Sequence, residues 1–183
     1  LNLNCVYIPL KCEGDKDLKL ILNNKNFNGI SVSMPFKTKV IKFLKKIDNS
    51  AKKSGAVNTI LRKKQNYLVG YNTDYYALKK IIKSKKLKIK NCLLLGNGST
   101  SRTTYEVLKD LKIKIVNLCS RRKKNYKKWK IRKSDRIINW ENRNFLNSDL
   151  LINCTPLGMK HINVIPKKLK NKKQHKYIID FTI

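Results

Sequence analysis

Lys37 and Asp74 each close a run that is rich in small polar side chains near a strand end. Three such runs occur in the first half of the chain. They are Ser31-Val32-Ser33-Met34-Pro35-Phe36-Lys37, Gly55-Ala56-Val57-Asn58-Thr59 and Gly70-Tyr71-Asn72-Thr73-Asp74. Ser31, Ser33, Asn58 and Asn72 offer short hydroxyl and amide groups suited to a polyhydroxylated ligand. A lysine paired with an aspartate can pass a proton to and from a ligand hydroxyl while a hydride leaves the same carbon. Lysine serves as an acid or base where a site is dry and partly apolar. The plainer readings are a helix-start lysine at 37 and a helix cap at Asp74. Pro35-Phe36, which fixes the position of Lys37, and the scarcity of acids favour the chemical reading.

A second constellation lies at 91–102, NCLLLGNGSTSR. An apolar run stops at Gly96-Asn97-Gly98, and the residues from Ser101 to Leu111 hold neither Gly nor Pro. A strand, a glycine turn and a helix open a dinucleotide-binding unit: glycine lets the backbone approach a pyrophosphate, and the first helical N–H groups face the anion. Gly96, Asn97, Gly98, Ser99 and Thr100 are the candidate phosphate contacts, with Ser101 where a third glycine is usual. A strand-turn-helix that binds nothing has the same pattern. In such folds an acid after the second strand binds a ribose hydroxyl, whereas arginine accommodates a 2′-phosphate. Here the next strand ends in Ser120-Arg121-Arg122-Lys123, without a carboxylate. Charge-assisted bonds from arginine suit NADP. The alternative is one more solvated basic run, and position favours NADP. Asn153 and Thr155, in Asn153-Cys154-Thr155-Pro156, fit both a strand-ending turn and a loop beside the cofactor.

The elements that must position these groups alternate. Strands are expected at 5–9, 29–34, 56–61 and 67–71, the last two around a turn at 62–66, with helices at 17–24, 37–47 and 74–84. Strands then follow at 92–95, 113–119, 137–138, 149–154 and 177–181, with a helix at 101–111. Alternating β and α at this spacing argues for an α/β fold with a parallel sheet and helices on both faces. The 74–84 helix bridges two domains.

The chain has 183 residues and 41% hydrophobic content, enough to bury a core. Its formal charge of +32 comes from 43 basic and 11 acidic residues. Such a charge fits a nucleic-acid binder, but the lysines are dispersed and carry no nucleic-acid motif. A lysine-rich composition from an AT-rich genome accounts for them. The five cysteines form no CxxC pair and no ligand spacing, which suits free thiols in a reducing, cytoplasmic compartment. His161 and His175 sit in polar segments and suggest no metal site. No apolar run approaches a membrane span.

The motifs in this order resemble the shikimate dehydrogenase family, which includes quinate/shikimate dehydrogenases. SVSMPFK is similar to that family's N/S-V-T/S-x-P-F/H-K, GAVNT to its GAVNT and YNTD to its x-N-T-D. GNGSTSR resembles its G-x-G-G/S-x-x-R, NCTPLGM its N-A/C/T-T-P-L-G-M, and Ser120-Arg121-Arg122 its N/S-R-T/S segment. The resemblance implies an α/β substrate-binding and catalytic domain at 1–74, then a Rossmann-like NADP-binding domain at 75–183. It implies reversible, NADPH-dependent reduction of 3-dehydroshikimate to shikimate, on the route to chorismate and the aromatic amino acids. Lys37 then falls on the catalytic lysine and Asp74 on its partner. Ser33, Asn58 and Asp74 fall on substrate contacts, with Ser31 and Asn72 adjacent. The family's Ser-x-Ser motif would lie upstream of Leu1, and its substrate-binding Gln beyond Ile183, where a tyrosine is usual. Both domains are therefore expected to be incomplete, the chain being a fragment or a reduced relative. A quinate or similar dehydrogenase and a non-catalytic basic nucleic-acid-binding module are the alternatives. A monomer and a homodimer fit equally.

Overall fold

The computed structural model describes residues 4–64, 67–159 and 175–182. His161, Ile183 and the end of the expected 62–66 turn lie outside the described residues.

Residues 15–71 build a four-stranded mixed sheet with short helices around it. Helix α1 (Asp15–Asn23) buries Leu18 and Leu22. Strands β1 (Gly29–Ser31), β3 (Thr59–Arg62) and β4 (Leu68–Tyr71) pair antiparallel, and β2 (Lys46–Ile47) joins β4 in parallel, giving the order β1-β3-β4-β2. Val32, Val40, Ala51, Val57, Ile60 and Leu68 complete this core.

Two expectations for this half need correction, and one helix lies where none is expected. Residues 5–9 form no strand: Val6 and Tyr7 are 87% and 83% exposed, and no neighbouring edge among the described residues gives them a ladder. The single helix expected at 37–47 is split. Helix α2 (Phe36–Lys39) passes into a 3₁₀ turn, Val40–Phe43, and the backbone is extended at Leu44 so that Lys46 can pair with Val69. The apolar spacing was real, but it serves a core wrapped by a turn and a strand. Helix α3 (Asn49–Ser54) was not anticipated, although Asp48 caps it by accepting from the Ser50 N–H at 2.8 Å and Gly55 ends it at φ +64°.

The second half is a parallel sheet of order β7-β6-β5-β8-β9, from β5 (Asn91–Leu95), β6 (Ile115–Cys119), β7 (Arg136–Ile138), β8 (Ser148–Asn153) and β9 (His175–Asp180). Strand β5 is buried on both faces, so it reads as a continuous apolar run. Cys92 and Leu94 point to one side, with Tyr75, Leu78 and Ile82 of α4 (Thr73–Ser84) and Tyr105, Val107 and Leu108 of α5 (Ser99–Asp110). Leu93 and Leu95 point to the other, against Ile138, Trp140 and Leu146. Among the described residues that second face is covered by the 3₁₀ turn Trp140–Phe145 and its flanks, not by the α-helix expected there. The chain leaves β5 toward β6 on one side and returns to β8 on the other, so the carboxyl end of β5 is the switch point where such sheets hold ligands. Among the described residues, no helix is long and apolar enough to cross a membrane.

Candidate active site

Lys37 lies in the first turn of α2, where the Phe36 N–H donates to Ser33 O at 3.0 Å and the Val57 N–H to Lys37 O at 2.7 Å. Asp74 is the second residue of α4. Lys37 Nζ donates to Asp74 Oδ2 at 3.2 Å across 37 residues of sequence. The two side chains are 20% and 32% exposed, so the pair is partly covered by protein and partly open to solvent.

Asn58 stands beside this pair with its amide orientation fixed. Its Oδ1 accepts from the Thr73 N–H at 2.9 Å and from the Thr73 and Thr59 hydroxyls, each at 3.1 Å. Because a backbone donor sets the oxygen's place, the Nδ2 group faces the other way. It has no hydrogen-bond partner among the described residues. Thr73 is therefore a supporting residue that motif reading missed, though it sits next to Asp74. Ser31, at the end of β1, and Ser33, just beyond it, are exposed.

Asn72 is placed differently. Its side chain is 1% exposed and fully committed: Nδ2 donates to Ser54 Oγ (2.9 Å), Ala56 O (3.1 Å) and Thr103 Oγ1 (3.0 Å), and Oδ1 caps α4 by accepting from the Tyr75 N–H (3.2 Å). The structure places Asn72, expected among the substrate contacts, as a buried cap and cross-brace.

The glycine turn closes β5. Gly96 has φ +110°, and a Cβ there would sit 2.9 Å from Cys154 O and 3.4 Å from the Thr155 methyl. The Gly96 N–H donates to Cys119 O at 2.8 Å, and Gly96 O accepts from Ser101 Oγ at 2.6 Å and from the Tyr126 hydroxyl at 2.8 Å. Ser101 thus ties the helix to the turn where a third glycine would only have allowed close packing. Burial pushes the Tyr126 hydroxyl up, so it stays a donor. Helix α5 starts at Ser99, two residues earlier than expected, and its first-turn N–H groups have no intrahelical acceptor. A Cβ at Gly98 would meet nothing within 4 Å. Asn97 Nδ2 donates to Ser120 Oγ at 3.0 Å and to Arg122 O. Ser120, Arg121 and Arg122 then line a basin of about 520 Å³ with Lys123, Lys124, Asn125, Trp140 and Glu141. Free amides, open backbone at Gly98 and four cations against one carboxylate fit a dinucleotide carrying an extra phosphate.

The loop after β8 borders the same turn. Asn153 spends its side chain on that loop: Nδ2 donates to Leu157 O (3.1 Å) and Asp180 Oδ1 (3.0 Å), and Oδ1 accepts from the Thr155 N–H (3.0 Å) and hydroxyl (2.6 Å). Of the two readings left open for Asn153 and Thr155, the strand-ending turn is thereby observed. The Cys154 thiol lies 3.5 Å from Thr104 Oγ1, and burial pushes it up to about 12, which keeps it a neutral packing group.

Gly96→Ala is expected to cost about 1–3 kcal/mol from backbone strain alone. The contact with the Cys154 carbonyl adds to that cost. Thermal melting and nucleotide titration by fluorescence check it; an unchanged melting temperature with unchanged affinity would contradict the geometry.

The sequence profile described as the shikimate dehydrogenase substrate binding domain matches residues 1–60. The chain is 33% identical over 163 residues to a protein of Clostridium botulinum (strain Loch Maree / Type A3) named shikimate dehydrogenase (NADP(+)), covering 87% of this chain and 62% of that one. It is 33% identical over 201 residues to the shikimate dehydrogenase (NADP(+)) of Methanococcus vannielii, covering 98% and 68%. The crystal structure of shikimate dehydrogenase 1 from Peptoclostridium difficile superposes with a TM-score of 0.73 at 27% identity, over 92% of this chain and 62% of that one. The chain thus spans 62% of the length of the first relative named. On fold, motif order and identity together, this chain belongs to the shikimate dehydrogenase family.

Proposed function

We propose that the protein is an NADP-dependent shikimate dehydrogenase that reversibly reduces 3-dehydroshikimate to shikimate. The Lys37–Asp74 pair beside the fixed amide of Asn58 is the observation that carries this reading. NADPH, when bound, supplies the hydride. Lys37 gives a proton to the oxygen of the carbonyl being reduced and takes it back in the reverse direction. Asp74 holds the amine in place and accepts from a substrate hydroxyl with the oxygen that Lys37 leaves open. Asn58 donates Nδ2 to the substrate, and Ser31 and Ser33 offer hydroxyls at the cleft's edge. The first-turn amides of α5 receive the diphosphate, Asn97 braces the turn against Ser120, and Arg121 and Arg122 hold the 2′-phosphate. Thr155 packs beside Gly96 and shapes the cofactor's floor.

The division of labour falls at residues 74 and 75: residues 1–74 bind substrate, and residues 75–183 bind NADP. The burial of Tyr75, Leu78 and Ile82 in the second core supports that boundary. The lysines are dispersed along the sequence and need no nucleic-acid partner, and the free thiols suit the cytoplasm.

The test is turnover by the natural full-length protein with 3-dehydroshikimate and either NADPH or NADH, beside quinate with NAD or NADP. Replacing Arg121 and Arg122 together by Ala is expected to raise the KM for NADPH about tenfold or more while leaving that for NADH within about twofold. The reason is that a charge-assisted phosphate contact contributes about 1.5–3 kcal/mol. Equal losses for both nucleotides would remove the 2′-phosphate role, and no turnover with either would remove the dehydrogenase reading.

A further inference from the structure

Helices α4 and α5 each carry part of the site at their N-terminal ends: Asp74 on α4, and the Gly96–Thr100 turn leading into α5. Whatever fixes one helix against the other therefore fixes how the Lys37–Asp74 pair faces the turn. Asp110, the last residue of α5, joins three helices. It accepts from Lys53 of α3 at 2.6 and 2.8 Å, from Lys79 of α4 at 3.2 Å, and from the hydroxyl of Tyr75. Tyr75 is the immediate neighbour of Asp74 and is 4% exposed. The Lys53 and Lys79 amines also lie over its ring, 5.9 and 5.6 Å from the centroid. Burial opposes charge on Asp110, but bonds from Lys53, Tyr75 and Lys79 outweigh it and hold the carboxyl down at about 2. The seam continues two turns back on α5. There Thr103 accepts from Asn72, and the Arg102 guanidinium lies against Gly55, with Nη1 2.7 Å from where a Cβ would be. The contacts at Asp110 are polar and directional, so they specify a register that apolar packing of α4 on α5 alone would leave free to slide.

We propose that Asp110 is a positioning residue, which acts through Tyr75 and Lys53 to set the spacing between the Lys37–Asp74 pair and the nucleotide turn. The inference rests on the dehydrogenase reading above. It places the effect on hydride transfer and not on binding, because Asp110 touches neither ligand's contacts.

The experiment compares full-length wild type with Asp110→Ala and with Tyr75→Phe, which keeps the packed ring and loses one bond. Turnover with NADPH and with 4-deuterated NADPH is measured, together with affinities and melting temperature. Misplacement of reacting groups lowers kcat steeply, so Asp110→Ala is expected to lose about tenfold in kcat with both KM values within about twofold. Its primary isotope effect should rise, because hydride transfer becomes the slow step. Tyr75→Phe should move the same way by a smaller factor. A folded variant with a lower melting temperature but unchanged kcat and isotope effect would overturn the positioning role. A wild type with no turnover would overturn the dehydrogenase reading instead. Amide exchange then tests the positioning role directly: faster exchange of residues 75–79 in Asp110→Ala supports it, and unchanged exchange overturns it.

Discussion

Lys37→Ala is expected to lower kcat by about 10²–10⁴-fold, the range for removing a positioned general acid–base group, while substrate affinity largely survives. Among the described residues the lysine side chain makes one polar contact, to Asp74 at 3.2 Å, and its loss removes no buried structural bond. Both side chains are partly exposed, at 20% and 32%, so the ion pair itself adds at most about 1 kcal/mol to stability. The melting temperature should therefore stay close to wild type. Lys37→Arg sharpens the test. Arginine preserves the charge and the attraction to Asp74 but does not give up a proton in the working range of pH. It should keep affinity and leave kcat low. Steady-state rates in both directions, with a binding titration on each variant, check the pattern. Normal kcat in Lys37→Ala would reject Lys37 as the proton donor.

The second large effect is on stability and lies away from the cleft. The Asp135 side chain is 0% exposed and has both oxygens doubly engaged. Oδ1 accepts from the Val116 N–H and from Arg132 Nη2, each at 2.9 Å. Oδ2 accepts from the Tyr105 hydroxyl at 2.7 Å and Arg132 Nε at 2.9 Å. Arg132 Nη2 also donates to Ile113 O at 2.8 Å. The cluster pins the segment before β7 onto α5 and the start of β6. Asp135→Ala would leave a guanidinium, a buried hydroxyl and a backbone N–H without their acceptor. Breaking a buried pair in this way costs about 3–5 kcal/mol. At about 2–4 °C per kcal/mol for a chain of this size, melting should fall by roughly 6–20 °C. The acid dependence follows from the same contacts. Burial opposes ionisation of Asp135, but bonds from Arg132, Tyr105 and Val116 hold its carboxyl below the usual range. The folded state therefore binds this proton less readily than the unfolded chain. The cluster's contribution is present above about pH 4, the unfolded value, and is lost as pH falls through the lower folded value. In Asp135→Ala the acid limb of the stability curve should be flatter, and identical limbs would contradict the assignment.

What could be read ahead of the structure was local, or was fixed by backbone chemistry. The glycine turn after β5, the parallel order of the second sheet and the nearness of Lys37 to Asp74 followed from short motifs in which each residue type has one physical reason to be there. Asn58 and Asn72 show where reading stopped. Both are asparagines before a threonine at a strand end, and by motif both read as ligand contacts. Both are buried, and only their hydrogen bonds separate them: Asn58 keeps an amide without a partner among the described residues, and Asn72 is consumed by Ser54, Ala56, Thr103 and Tyr75. The stretch 36–47 misled for a similar reason, since an apolar spacing of three and four also suits a turn wrapped on a core. Helix α3 was missed although Asp48 and Gly55 mark its ends, because its six residues carry no long apolar stripe. Asp110 and Asp135 left no motif, because their partners come from elements far off in sequence.

The commitments of Asn72 also constrain how the two halves can breathe. One amide reaches a helix and a loop of the first half and, through Thr103, the nucleotide-side helix of the second. The amide therefore ties α3, the loop after it and the starts of α4 and α5 to one another at a single buried point.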